Sequence, residues 1–83
     1  MQEQGFIIKH DIHVSNLKLM RIKRGMRQID LSKASGVPVK CIGNYEQLKR
    51  NINHARVDII YSLAAALECR IEDIMEDKKG LPG

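Results

Sequence analysis

The sequence predicts an all-α fold built from five short helices, and three observations predict it. Apolar residues fall at helical spacing in successive short segments, each bounded by residues that start or stop helices. The one long stretch that reads as helix, residues 31–49, is broken near its centre by "SGVP", where glycine and proline make a continuous helix costly. The chain has 83 residues, 43% of them apolar and only 4% aromatic. That is one domain, whose small core must be packed economically from Leu, Ile, Ala and Met, mostly on helices. Such a composition is too apolar for a disordered chain.

The first segment is the exception. In residues 1–14, "GFIIKHDIHV" places Ile8, Ile12 and Val14 on one parity, and its β-branched content suggests an extended arm or short strand. A lone strand is not stable without a partner, so the arm is expected to be extended or disordered. From Ser15 the pattern turns helical. Ser15 can cap a helix over residues 16–24, with Leu17, Met20 and Arg24 on one face and Leu19, Ile22 and Met26 on the next. Gly25 ends it, because glycine tolerates positive φ past a helix terminus.

The second helix is expected from residue 27 or 28 to 35, with Ile29, Leu31, Ser32 and Ala34 as inward positions. Gly36 closes it. Pro38 then stands in the first turn of a third helix over residues 38–48, where its missing N–H has no helical partner anyway. Ile42, Tyr45 and Cys41 supply the inner stripe of that helix. A polar connector, "RNIN", leads to Asn53 as cap of a fourth helix over residues 54–67, predicted to bury Val57, Ile60, Tyr61, Ala64 and Leu67. A last short helix covers residues 71–75. The predicted organisation is thus an arm over residues 1–14, a domain over 15–76 and a loose tail over 77–83.

Charge is distributed unevenly. Residues 18–56 hold ten Lys or Arg against Asp30 and Glu46, a surplus of +8 inside a chain whose net charge is +4. A positive block flanked by mildly acidic ends suits a polyanion, most often nucleic acid. Other classes find less support. No apolar run approaches a membrane span, and the first residues do not resemble a signal peptide. Cys41 and Cys69 lack CxxC spacing, so two reduced, packed thiols in a cytoplasmic protein are expected. His10 and His13 form HxxH without further ligands at a defined spacing, and no nucleophile–base arrangement or phosphate-cradling glycine loop is present. Neither a metal, a cofactor nor catalysis is expected.

Two short helices joined by a tight glycine-containing turn describe a helix-turn-helix, which explains the break: Gly36 supplies the left-handed backbone, Val37 plugs the corner, and Pro38 starts the next helix. The stretch "LKLMRIKRGMRQIDLSKASGVPVKCIGNYEQ", followed by "LAAALECRIEDIME", resembles the helix-turn-helix family of the phage repressor and Cro type (XRE-like), which includes many small bacterial regulators. The resemblance covers residues 17–75. It implies a compact, lambda-repressor-like five-helix domain whose third helix enters the DNA major groove.

Carried over position by position, the resemblance puts Val39, Lys40, Gly43 and Asn44 on the base-reading face. Lys40 suits guanine or a phosphate, Asn44 suits adenine and Val39 a thymine methyl. Arg27, Gln28, Lys49, Arg50 and Asn51 fall where phosphates are met, and Arg21 and Glu46 where many members hold an ion pair between first and third helices. Departures from the family pattern are Leu48 and Glu68 at common glycine positions, and Arg27 and Arg70 at common cap positions. Two functions fit: a sequence-specific DNA-binding transcriptional regulator, repressor-like and homodimeric, or a protein-interaction module on the same fold, such as an antitoxin or accessory factor. The charge block favours double-stranded DNA as partner. The expected dimer surface is Leu19 with Ile22, or the arm. No small-molecule substrate or membrane is expected as a partner.

Overall fold

Ser15 opens the helical part of the chain by accepting the backbone N–H of Lys18 at 3.1 Å, which satisfies one of the donors a helix start leaves free. In the computed structural model, which describes residues 13–77, Ser15 caps α1 (Asn16–Lys23). There follow α2 (Gln28–Ser35), α3 (Val39–Glu46), a 3₁₀ turn (Ile52–His54), α4 (Val57–Leu67) and α5 (Ile71–Ile74). The architecture is the all-α, five-helix one that the sequence predicts. Residues 1–12 and 78–83, which carry most of the expected arm and tail, lie outside the described residues.

The first two connections are each made by the glycine assigned to them. Gly25 follows α1 at φ +68° and Gly36 follows α2 at φ +79°, both in the left-handed region where other residues are strained. The α2–α3 turn is then closed by side chains: Ser32 donates its hydroxyl to the Val37 carbonyl at 2.7 Å, and Ser35 accepts the Val37 N–H at 3.1 Å. Val37 itself is buried, which fixes the corner. Pro38 differs slightly from expectation. It is extended and caps α3 from outside (φ −57°, ψ 143°), so the helix begins at Val39.

The core is one cluster to which every helix contributes. Leu17, Leu31, Ile42, Leu63, Leu67 and Ile74 are fully buried, with Met20, Met26, Cys41, Cys69 and Met75 packed around them. α2 packs on both α3 and α4, and α1 packs on α3 and α5. α3 is therefore gripped from two sides, which matters because an eight-residue helix is not stable alone.

Four expectations need correction. α4 starts at Val57, not at residue 54, because Ile52 is drawn into the core through a 3₁₀ turn and Ala55 and Arg56 then run extended. Its buried stripe is Ile60, Leu63, Ala64 and Leu67, while Val57 and Tyr61 are 67% and 59% exposed. On α2, Leu31 alone is fully buried; Ala34 is exposed and Ile29 is mostly outside the core, because α3 and α4 approach the Leu31 side. Finally, Asn53 does not cap α4. Its amide donates to the Glu76 carbonyl at 2.6 Å and accepts the Glu76 N–H at 2.9 Å.

That last contact belongs to a clasp between the two ends of the domain. Asn16 donates its side-chain amide to the Met75 carbonyl at 2.8 Å and its backbone N–H to Oε2 of the buried Glu76 at 2.6 Å. Nε2 of His13 lies 2.8 Å from the other Glu76 oxygen. A carboxylate at the start of α1 complements the helix dipole there.

Leu48 and Glu68, the residues at the family's glycine positions, both adopt left-handed backbone, at φ +59° and +54°. A non-glycine residue pays about 1–2 kcal/mol for that conformation. Glu68→Gly is therefore expected to stabilise the domain by about 1 kcal/mol, seen as a rise of roughly 4–8 °C in melting temperature for a domain of this size.

Candidate nucleic-acid interface

α3 is amphipathic in a simple sense. Ile42, Tyr45 and Glu46 face the interior, and helical spacing leaves Lys40, Gly43, Asn44 and Gln47 turned away from it, with Val39 at the border in the first turn. Lys40 and Gln47 are exposed, and Val39, Gly43 and Asn44 half-exposed. Gly43 has ordinary negative φ and its carbonyl accepts the Gln47 N–H at 2.9 Å, so it is a regular helix residue. A helix-interior glycine costs about 1 kcal/mol relative to alanine.

The side that α3 presents outward is set by Glu46. Its carboxylate accepts Arg21 Nε at 2.6 Å and Nη2 at 3.0 Å, a two-pronged pair, and also the Gln28 side-chain amide at 3.1 Å. Arg21 spends its remaining nitrogen, Nη1, on the Met26 carbonyl at 2.8 Å. The buried carboxylate thus ties α3 to α1 and to the start of α2, and its partner Arg21 adds the α1–α2 connection. The two side chains are only 12% and 3% exposed. Hydrogen bonding to Glu46 raises the Arg21 pKa above its ordinary value, against the opposing effect of burial.

The start of α2 lacks the usual Ser or Thr cap and solves the problem differently. The Asp30 carboxylate accepts the Arg27 backbone N–H at 2.8 Å and the Arg27 guanidinium at 3.0 and 2.9 Å. α5 repeats the arrangement, with Asp73 accepting the Arg70 N–H at 2.9 Å. Arg27 therefore reaches the surface already paired, and the Gln28 side chain is turned inward to Glu46. Hydrogen bonds from the Arg27 side chain and backbone hold the Asp30 carboxyl at about 2.

Beyond α3 the chain turns through Leu48 and runs along one side of a cleft of about 450 Å³. Cys41, Tyr45, Ala55 and Ile59 contribute its apolar lining, while Lys49, Arg50, His54 and Arg56 bring basic groups to it. Arg56 pairs with Asp58 at 3.1 Å; among the described residues Lys49, Arg50 and His54 form no ion pair. Asn51 lines the cleft too, but its side chain accepts the Asn53 N–H at 2.9 Å and so shapes the 3₁₀ turn. His54 and Arg56 join Lys49 and Arg50 although the sequence did not single them out. The connector carries them because α4 begins only at Val57, after the 3₁₀ turn.

Arg24 has a structural task instead, donating to the Leu67 and Glu68 carbonyls at 2.6 and 3.1 Å and closing the C-terminus of α4. Cys41 and Cys69 are free thiols, and burial pushes the Cys69 thiol up. Among the described residues no group of three or more His, Cys, Asp or Glu is placed to hold a metal, and no helix is long and apolar enough to cross a membrane.

Two outcomes are expected. Glu46→Ala leaves Arg21 buried without its partner and should cost about 3–5 kcal/mol in urea unfolding, whereas Arg21→Met combined with Glu46→Leu should cost much less than the two single changes added together. Asp30 has a depressed pKa, so its contribution is present above about pH 4 and lost as pH falls toward about 2. Melting curves of the wild type and of Asp30→Ala should accordingly differ near neutral pH and converge across that acid window.

A model of the Cro/C1-type helix-turn-helix DNA-binding domain matches residues 16–80. No curated protein and no solved structure gives a match. The matched stretch contains all five helices, the glycine turn and the outward face of α3. It covers well over half of the chain, and the protein belongs to the family of Cro/C1-type helix-turn-helix DNA-binding domains.

Proposed function

We propose that this domain is a sequence-specific, repressor-like transcriptional regulator that inserts α3 into the major groove of double-stranded DNA and acts as a homodimer in the cytoplasm. The observation that carries the reading is the combination at α3: a helix locked by Glu46 turns Lys40, Gly43 and Asn44 away from the core, beside a connector whose Lys49, Arg50 and His54 form no ion pair among the described residues. Lys40 and Asn44 would meet base edges, with Val39 against a thymine methyl. Lys49, Arg50 and Asn51 would meet phosphates, joined by His54 and Arg56. Gln28, whose side chain is committed to Glu46, would offer its backbone N–H at the start of α2. Arg27 would approach as a paired group, which weakens its contribution.

One such domain covers few base pairs, and a two-fold dimer would read half-sites roughly 34 Å apart. Leu19 and Ile22, 46% and 55% exposed on the outer side of α1, support a self-complementary surface. A protein-binding use of the fold, as in an antitoxin or accessory factor, would draw on the same pair or on Val57 and Tyr61. It predicts no salt-dependent affinity for a duplex.

The test is binding at several salt concentrations. Lys49→Ala and Arg50→Ala should each weaken all duplexes alike and lower the slope of log affinity against log salt by roughly 0.9. Asn44→Ala should flatten preference at a single base pair. If Asn44→Ala scales every affinity by one factor, its base-reading role is excluded. Sedimentation of the full chain reads the dimer, and a monomer that also binds DNA as a monomer would remove it.

A further inference from the structure

Gly43, toward one edge of the α3 outward face, has no explanation inside the molecule. Gly25 and Gly36 are required by their left-handed backbone, but Gly43 has negative φ within a regular helix. Nor is it needed for packing: a Cβ built at Gly43 meets no atom within 4 Å. The interior would accept alanine, and α3 would be a better helix with it. The open space at this point is accessible to a molecule that approaches from outside.

We infer that Gly43 is a specificity-determining residue, a bare stretch of helix backbone that, with Val39 one turn earlier, seats the 5-methyl group of a thymine. This rests on the DNA reading above and adds to it. Val39 and Gly43 are four residues apart and share one face, so the valine methyls and the uncovered Cα form a small apolar seat. Lys40 and Asn44, each one residue further on, border it on its solvent side with polar groups suited to neighbouring bases. In the major groove the thymine methyl is the apolar feature of the base edges, so an apolar seat beside polar readers selects a T·A pair. A side chain at position 43 would occupy the same space as the methyl.

That competition gives a sign-inverting test. Wild type and Gly43→Ala are compared on the duplex that wild type binds best, and on versions in which each thymine in turn is replaced by uracil, which removes only the methyl. Wild type should lose several-fold at one thymine. Gly43→Ala should bind the thymine duplex roughly ten-fold more weakly than wild type and recover most of that loss when the same thymine becomes uracil. Its melting temperature should rise by several degrees, which separates the loss from unfolding. Unchanged affinity in Gly43→Ala overturns the inference and leaves the DNA reading standing. So does an equal loss on thymine and uracil at every position, and so does a lower melting temperature, which would mean the fold itself needs the glycine. Failure of wild type to bind any duplex at low salt would remove the DNA reading, and the seat with it.

Discussion

What α3 can present outward depends on the carboxylate it turns inward. Glu46 sits at the last turn of an eight-residue helix and accepts hydrogen bonds from Arg21 and Gln28, while the first turn is held by the buried corner at Val37. With both ends fixed, α3 cannot roll, and the stripe through Lys40, Gly43 and Asn44 keeps one orientation. Apolar packing at Ile42 and Tyr45 would hold the helix in place without choosing its rotation as sharply. A buried pair is not an efficient source of stability, since desolvation offsets much of its attraction. Its directional, two-pronged geometry is the more useful property here.

Helix ends carry much of this chain's individuality. Two starts use Arg-x-x-Asp, in which the aspartate accepts the N–H of the arginine three residues earlier, where a Ser or Thr would ordinarily cap. Two ends run left-handed without glycine, at Leu48 and Glu68. Each substitution leaves the backbone path intact and changes its cost. At α2 the consequence reaches the surface, because Arg27 arrives there neutralised by Asp30. The connector after α3, by contrast, brings Lys49 and Arg50 to the cleft with no ion pair among the described residues.

Much of the fold was legible because it is written in local punctuation. Ser15, Gly25, Gly36 and Val37 each act through neighbours a few residues away, so the first three helices could be placed from order alone. α4 was harder. Its apolar residues support two overlapping stripes, one through Val57 and Tyr61 and one through Leu63, and only α2 and α5 lying across the helix decide between them. The Glu76 clasp was not readable, since Asn16, Asn53 and Glu76 are ordinary polar residues far apart in the chain. At the site, the resemblance located Arg21, Glu46 and the outward face of α3, but not that the Gln28 side chain is spent on Glu46 or that His54 and Arg56 join the cleft.

If a locked α3 reads duplex sequence while the basic connector holds the backbone, binding must depend on both sequence and salt. Selection of bound sequences from a random duplex pool, with the affinity of the winners measured at two salt concentrations, tests it most directly. The expected result is enrichment of a short motif containing a T·A pair, two-fold repeated if the dimer forms, and bound much more weakly at the higher salt. A pool that emerges without enrichment, and whose retention does not change with salt, would contradict it.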